Sequence, residues 1–412
     1  MTRVQNIDDM LVFHAADART LAQARRCART AESTVLMGDN HLGYAQPVGG
    51  VTAYDNRVSL SGVGFDIACG NKAVCLDADA QSVRRDIGKI MDDLTREISF
   101  GIGGGNRQTV EHPVLEDPLF DEDVLRAIKP GKRHGSLRDL ARAQLGTVGA
   151  GNHYVDLFVS ERDEVWVGCH FGSRGLGHKI TTHFLRLAGA DNGIDAEPCL
   201  LDLDTELGRA YFAAMELAGR YAYAGRDWVC ARVAQLIGAD IIREVHNHHN
   251  FAWHETHGGR DLIVVRKGAT PAFPGQVGFV GGSMGDISVI LRGRDSALSQ
   301  AALYSTVHGA GRVMSRTQAA GRKRWRRIGK GKRGRKRLVT VKSGQISREM
   351  MLERIRPLGV ELRGGGPDEA PQVYKPLREV LAAHGETIEV LEVLHPIGVA
   401  MAPSDTFDPY KD

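Results

Sequence analysis

Five stretches of the chain set side chains able to bind metal or move phosphoryl groups into glycine-rich surroundings. "GVGFDIACG" supplies Asp66 and Cys69, "GTVGAGNHYVDL" supplies Asn152, His153 and Asp156, and "VGCHFGSRGLGHK" supplies His170, Arg174 and His178. "EVHNHHNFAWHETH" holds His246, His248, His249, His254 and His257, while "STVHGAGRVMSR" sets His308 directly before Gly309 and Gly311. Thiolate and imidazole suit zinc, iron or manganese better than calcium or magnesium. None of the spacings is that of a zinc finger, so the ligands would have to converge from distant loops, as catalytic sites do more often than structural ones. Taken singly, each histidine is more often a satisfied core or surface group than a ligand. Cys69, between glycine turns and three residues after Asp66, is the better thiol candidate; Cys169, after an apolar run, reads as a small buried hydrophobe.

The turn at His308 adds a second chemistry. Gly309 and Gly311 allow a backbone to press against a phosphate, and Arg312 offers a planar, permanently charged fork. "RKGATPAFPGQ" (266–276) and "VGGSMGDIS" (280–288) bring further backbone amides and small hydroxyls that can cradle phosphates. The chain has no GxxxxGK[ST] and no convincing βα dinucleotide fingerprint, which disfavours a P-loop or Rossmann enzyme.

The elements that must position these groups alternate irregularly. Apolar spacing predicts helices over 16–36, 78–98 and 204–237, the last as one or two helices. Between them run β-like segments: "KAVCLD", "EVWVGCHF", "DLIVVRKG", "QVGFVGG", "DISVILRG" and "TIEVLEVL". No fixed repeat or long polar linker divides the 412 residues, so the expectation is one large α+β domain spanning 1–412, with a deep metal- and nucleotide-binding cleft built from loops.

The formal charge of +3 conceals an asymmetry. Segment 322–337, "RKRWRRIGKGKRGRKR", holds eleven Lys or Arg and no acid; subtracting those from +3 leaves −8 on the rest. Such a block either stays solvated as an inserted loop or ribbon or binds nucleic acid by neutralising phosphates, with Trp325 available to stack on a base. The six cysteines form no CxxC pair, and neither a signal peptide nor an 18-residue apolar window is present, so the expected setting is the cytoplasm with reduced thiols and no membrane partner.

In order along the chain, "MGDNHLGYAQPVGG", "GVGFDIACG", "LGTVGAGNHYVDL", "HFGSRGLGH", "HHNFAW", "VRKGA", "GGSMG", "HGAGRVMSR" and "DEAPQVYK" resemble the motifs of the RNA-splicing ligase family RtcB. The resemblance implies an enzyme joining RNA 3′-phosphate or 2′,3′-cyclic phosphate ends to 5′-hydroxyl ends with GTP and two Mn2+ ions. By the same resemblance His308 is the nucleophile that carries GMP, and Cys69 bridges the two ions, with His170 and His249 completing one site and Asp66 and His153 the other. Asn152, Asp156, Asn250, Gly281, Gly282, Ser283, Met284, Ser288, Gly309, Ala310 and Gly311 match nucleotide-holding positions, and Tyr374 lies near the guanine. His246, His248, His254 and His257 carry no role over. The family also implies an archease-like activator as partner. Departures are Met401 where a guanine-contacting lysine is usual, Gly38 and Gly281 where proline is usual, Asp156 where glutamate is common, and the 322–337 insertion. They suggest a divergent paralogue acting on a particular damaged RNA. The alternatives are a related metal enzyme with altered nucleotide choice, and a non-catalytic RNA-binding protein acting through its basic segment.

Overall fold

The computed structural model describes residues 4–191, 193–328, 335–404 and 406. Among them the strands form two large sheets and three two-stranded pairings. The larger sheet runs Ile241–His248, Gly70–Leu76, Val165–Phe171, Tyr154–Ser160, Ile388–Pro403, Ser288–Gly293 and Val277–Val280, with Glu361–Gly365 added parallel to Ile388–Pro403. The second runs Gln5–Ile7, Met10–Val12, Ser33–His41, Val48–Tyr54, Arg260–Lys267 and Asn250–His257. The result is the mixed α and β architecture expected.

Central strands of the larger sheet are buried along their whole length, because both faces are covered. One face places Val74, Leu157 and Val167 against Met91 and Leu94 of helix Ala80–Glu97 and Val229 and Val233 of helix Glu206–Ile237. The opposite face places Ala73, Phe158 and Trp166 against Phe279 and Ile290 from the far strands of the same sheet, so the sheet curls back on itself. Its edges approach closely enough for the Phe279 amide to donate to Asn247 Oδ1 at 2.9 Å.

The 204–237 periodicity resolves as one helix. Thr205 caps it by accepting from the Gly208 amide, and Gly238 ends it in the left-handed region at φ 78°. The expected helix over 16–36 is shorter. Asp17 caps a helix at Ala18–Ala28, whereas Ser33–His41 is a strand whose apolar residues Val35 and Met37 are needed in the core between the sheets. Residues 321–328 and 335–343 pair as an antiparallel ribbon; the tip of the basic segment, 329–334, lies outside the described residues. No helix among the described residues is long and apolar enough to cross a membrane.

Candidate metal centre and nucleotide cleft

The chain steps directly from the larger sheet to the smaller at one residue. Strand Ile241–His248 ends on the larger sheet, strand Asn250–His257 begins on the smaller, and His249 is the corner between them. Its amide donates to the Cys69 carbonyl at 2.9 Å, and Ala68 donates to the Asn250 carbonyl at 2.8 Å, which staples the "DIACG" loop to the corner. Ala68 itself sits at φ 54°, a region costly for a residue with a Cβ and tolerated where the surroundings dictate the turn. The loop thereby presents Asp66 and Cys69 to histidines from adjacent strands.

Cys69 Sγ lies 3.5 Å from His153 Nε2 and 3.6 Å from His170 Nε2, and His153 Nε2 lies 3.0 Å from Asp66 Oδ2. Ligands bound at about 2.0–2.3 Å to one ion stand about 3.5 Å apart, so these spacings suit shared coordination. Two groups of potential ligands result, Cys69 with His170 and His249, and Cys69 with Asp66 and His153, each with its donor atoms within 4.8 Å of one another. Cys69 belongs to both.

The donor set is electrically prepared for a cation. Burial, with the neighbouring imidazoles, holds His170 and His249 well below the usual histidine range, so both offer lone pairs. His170 Nδ1 sits 2.6 Å from Asn71 Oδ1; the amide oxygen requires a hydrogen on Nδ1, which leaves Nε2 as the ligand atom toward Cys69. Nδ1 of His249 is buried without a hydrogen-bond partner, an orphan that coordination or a bound polar group would satisfy. Burial and the Asp66 carboxylate raise the Cys69 thiol well above its ordinary range, so the thiolate forms here only with a compensating cation. Burial would raise Asp66 as well, but its hydrogen bond to His153 and the nearby charges of His153 and Arg174 outweigh that and hold it low.

His308 follows the short strand Ser305–Val307, and its ring centroid lies 4.7 Å from that of His249. Asp39, fully buried in strand Ser33–His41, accepts through Oδ2 from His308 Nδ1 at 2.6 Å, from the His308 amide at 3.0 Å and from the Gly309 amide at 3.3 Å. Burial pushes the Asp39 carboxyl up, yet the His308 ring and amide hydrogens bring it below its usual range, so it is an anion. The Nδ1–H bond leaves Nε2 of His308 with its lone pair. Gly311 must be glycine: at φ 75° a Cβ there would overlap the Asp39 carbonyl.

A cavity of about 680 Å³, part of it open to solvent, joins His308 and His170 to Asn152, Asp156, Gly281, Gly282, Ser283, Met284, Gly309, Ala310, Gly311, Tyr374 and Met401. Asn250 and Ser288 do not line it. Asn250 accepts from the Gly268 amide at 2.8 Å, and Ser288 accepts from the Gly282 amide at 3.2 Å, so both shape its walls from behind. Arg312 lines the cavity, but its guanidinium donates to Glu369 at 3.0 Å, to the Asp368 carbonyl at 2.6 Å and to Tyr374 Oη at 2.9 Å. The fork read from sequence as a phosphate ligand thus orients Tyr374, over whose ring it also lies.

The other histidines of these stretches hold the fold, and His257 pairs with Glu255 at 2.8 Å. His246 accepts from buried Arg226 at 2.8 Å, His248 stacks on Phe251, His254 packs on Phe212 and His178 on Phe65. Two site residues were not singled out from sequence, Asp39 and Asn71. Their signal is an acid and an amide inside strands with an apolar run, where a buried polar group demands a partner.

The sequence matches known proteins along most of its length. The family model described as tRNA-splicing ligase RtcB matches residues 20–402, and the chain belongs to that family. Among similar proteins are the tRNA-splicing ligase RtcB of Thermococcus kodakarensis, 29% identical with 95% of this chain and 93% of that protein covered, and the RNA-splicing ligase RtcB of Escherichia coli, 30% identical with 88% of each covered. The tRNA-splicing ligase RtcB of Archaeoglobus fulgidus is 32% identical over 70% of this chain and 74% of that protein.

Proposed function

We propose that the protein is an RNA ligase that joins a 3′-phosphate or 2′,3′-cyclic phosphate end to a 5′-hydroxyl end through a histidine-linked nucleotide, with GTP as the nucleotide and Mn2+ as the metal. The observation that carries this reading is His308, its Nδ1 held by a buried carboxylate, beside two ligand groups that share Cys69. Bound there, two divalent ions would supply charge neutralisation for an in-line displacement. Asp66, Cys69, His153, His170 and His249 would hold them.

The chain's own residues then account for the steps. His308 Nε2 attacks the α-phosphorus of GTP, a P–N bond forms and pyrophosphate leaves. As the imidazole becomes cationic, Asp39 stabilises it through the Nδ1–H bond. The cavity's glycine turns and Asn152 offer donors to phosphate oxygens, while Tyr374 forms a wall for the base. A 2′,3′-cyclic end is first opened by water to a 3′-phosphate and a 2′-hydroxyl; transfer of GMP to the RNA 3′-phosphate breaks the P–N bond and frees His308, and attack by the 5′-hydroxyl closes the phosphodiester and expels GMP. We read residues 1–412 as one ligase domain interrupted by the 322–337 insertion, acting on RNA and open to an archease-like activator.

Incubation with Mn2+ and GTP labelled at the α-phosphate tests the reading: the wild-type chain acquires an acid-labile label and His308→Ala does not. A folded wild-type chain that never labels refutes it. Met401 in the cavity wall favours a second reading, a ligase or phosphate-end-processing enzyme with broader nucleotide choice. Equal labelling by ATP and GTP would establish that breadth.

A further inference from the structure

The ribbon formed by Gly321–Ile328 and Arg335–Ser343 is paired with no other strand among the described residues, and a two-stranded ribbon alone is marginally stable. Its register makes matters worse. Arg322 stands opposite Lys342, Arg326 opposite Arg337 and Arg327 opposite Lys336, and like charges directly opposite one another destabilise an antiparallel pair. Residues 321–343 contain no acid to relieve them. A sequence that sets cations across from cations in an unsupported ribbon is suited to a polyanion that neutralises both strands together.

The root of the ribbon is built, and it is built at the cleft. At the neck the chain crosses itself where Gly321, at φ 76°, and Gly344 stand, and a Cβ at either would overlap backbone of the other strand's approach. The returning chain is held by Gln345 donating to the Gln318 carbonyl at 3.0 Å and Ile346 to the Ala319 carbonyl at 2.9 Å. One turn before the neck, Arg316 opens helix Arg316–Ala320, binds Asp368 at 3.0 Å and lies against Gly151, the neighbour of Asn152 and His153. Strand Gly321–Ile328, eight residues at about 3.4 Å each, therefore carries positive charge along about 27 Å from a root that begins one short helix after Arg316.

We propose that this ribbon is an RNA-backbone clamp, which grips phosphates of the substrate strand, without regard to sequence, on its way to the His308 cleft. The proposal rests on the RNA-ligase reading for its substrate, but not for its physics. The test compares the full chain with a variant carrying Arg322→Ser, Lys323→Ser, Arg326→Ser, Arg327→Ser, Lys336→Ser and Arg337→Ser. A second variant replaces 323–341 by a short Gly-Ser turn. Affinity for a single-stranded RNA bearing a 3′-phosphate is measured from 50 to 200 mM salt, alongside nucleotide self-labelling. Each single-strand phosphate contact contributes about 0.7 to the log–log salt slope, so losing six contacts lowers it by about 4, and the fourfold salt increase costs the wild type about a few hundredfold more affinity than the variant. Self-labelling stays within about twofold in both variants, which also shows that they fold. An unchanged salt slope in both overturns the clamp. Absence of labelling in the wild type sinks the ligase reading instead, while a reduced RNA salt slope in the variants would still support the ribbon.

Discussion

Replacing Asp39 by asparagine isolates the contribution of one buried charge to the proposed attack by His308. The side chain keeps its shape, but its oxygen accepts from three N–H groups, those of His308 Nδ1, the His308 amide and the Gly309 amide, as a neutral group instead of an anion. A hydrogen bond to a charged group contributes about 1.5–3 kcal/mol and a neutral one about 0.5–1.5, a loss of roughly 1–2 kcal/mol at the ring alone. In the transition state the imidazole becomes cationic, and the carboxylate about 4 Å from the centre of that charge is worth up to about 4 kcal/mol at an effective dielectric of 20. Allowing for overlap between the two estimates, the net is about 3–4 kcal/mol, or a labelling rate lower by roughly 10²- to 10³-fold. Single-turnover appearance of the His308 label at saturating nucleotide measures it, with unfolding by urea as the control for stability. Because the folded-state carboxyl is held below its ordinary value, Asp39 is an anion at neutral pH and adds no pH dependence to labelling there; its contribution to stability is present above about pH 4 and is lost as pH falls further. An Asp39→Asn protein that labels within about fivefold of wild type would refute the argument that this carboxylate stabilises the developing imidazolium.

Three other perturbations test the same arrangement. Cys69→Ser should remove Mn2+ from both ligand groups, because Cys69 is common to them, whereas His249→Ala should remove about one of two ions; metal content after gel filtration distinguishes this from independent sites. Gly281→Ala would drive a Cβ into the Tyr154 hydroxyl and cost about 1–3 kcal/mol of stability, most of it recovered by Tyr154→Phe in a double-mutant cycle; additive costs would place the strain elsewhere. Glu255→Gln breaks the bidentate pair with fully buried Arg266, at 2.6 and 3.0 Å, and should cost about 3 kcal/mol at pH 7, the lower end for a broken buried pair because Ser305 and the Leu303 carbonyl still hold the guanidinium. Burial raises the Glu255 carboxyl, but Arg266 and His257 bring it below its ordinary value; its stabilisation is therefore full above about pH 4.5 and fades in more acid solution, where the variant and wild type should converge in urea denaturation.

The sequence by itself determined which chemistries were on offer and much of the local structure. Thiol, imidazole and carboxylate stood in glycine-flanked loops in a fixed order, and the 204–237 pattern encoded a helix whose capping threonine and terminal glycine directly flank it in the chain. Those are short-range facts, carried by periodicity and backbone preference. Convergence is not short-range. Cys69 meets His153 and His170 across 84 and 101 residues, and Asp39 meets His308 across 269. Only the packing of one sheet on the other decided that His249 would be the corner between them, that Asn71 would fix the His170 tautomer, and that Arg312 would be engaged by Glu369 and Tyr374. The same packing excludes water from these groups. Burial then makes each partner obligatory, which no residue's local sequence can specify.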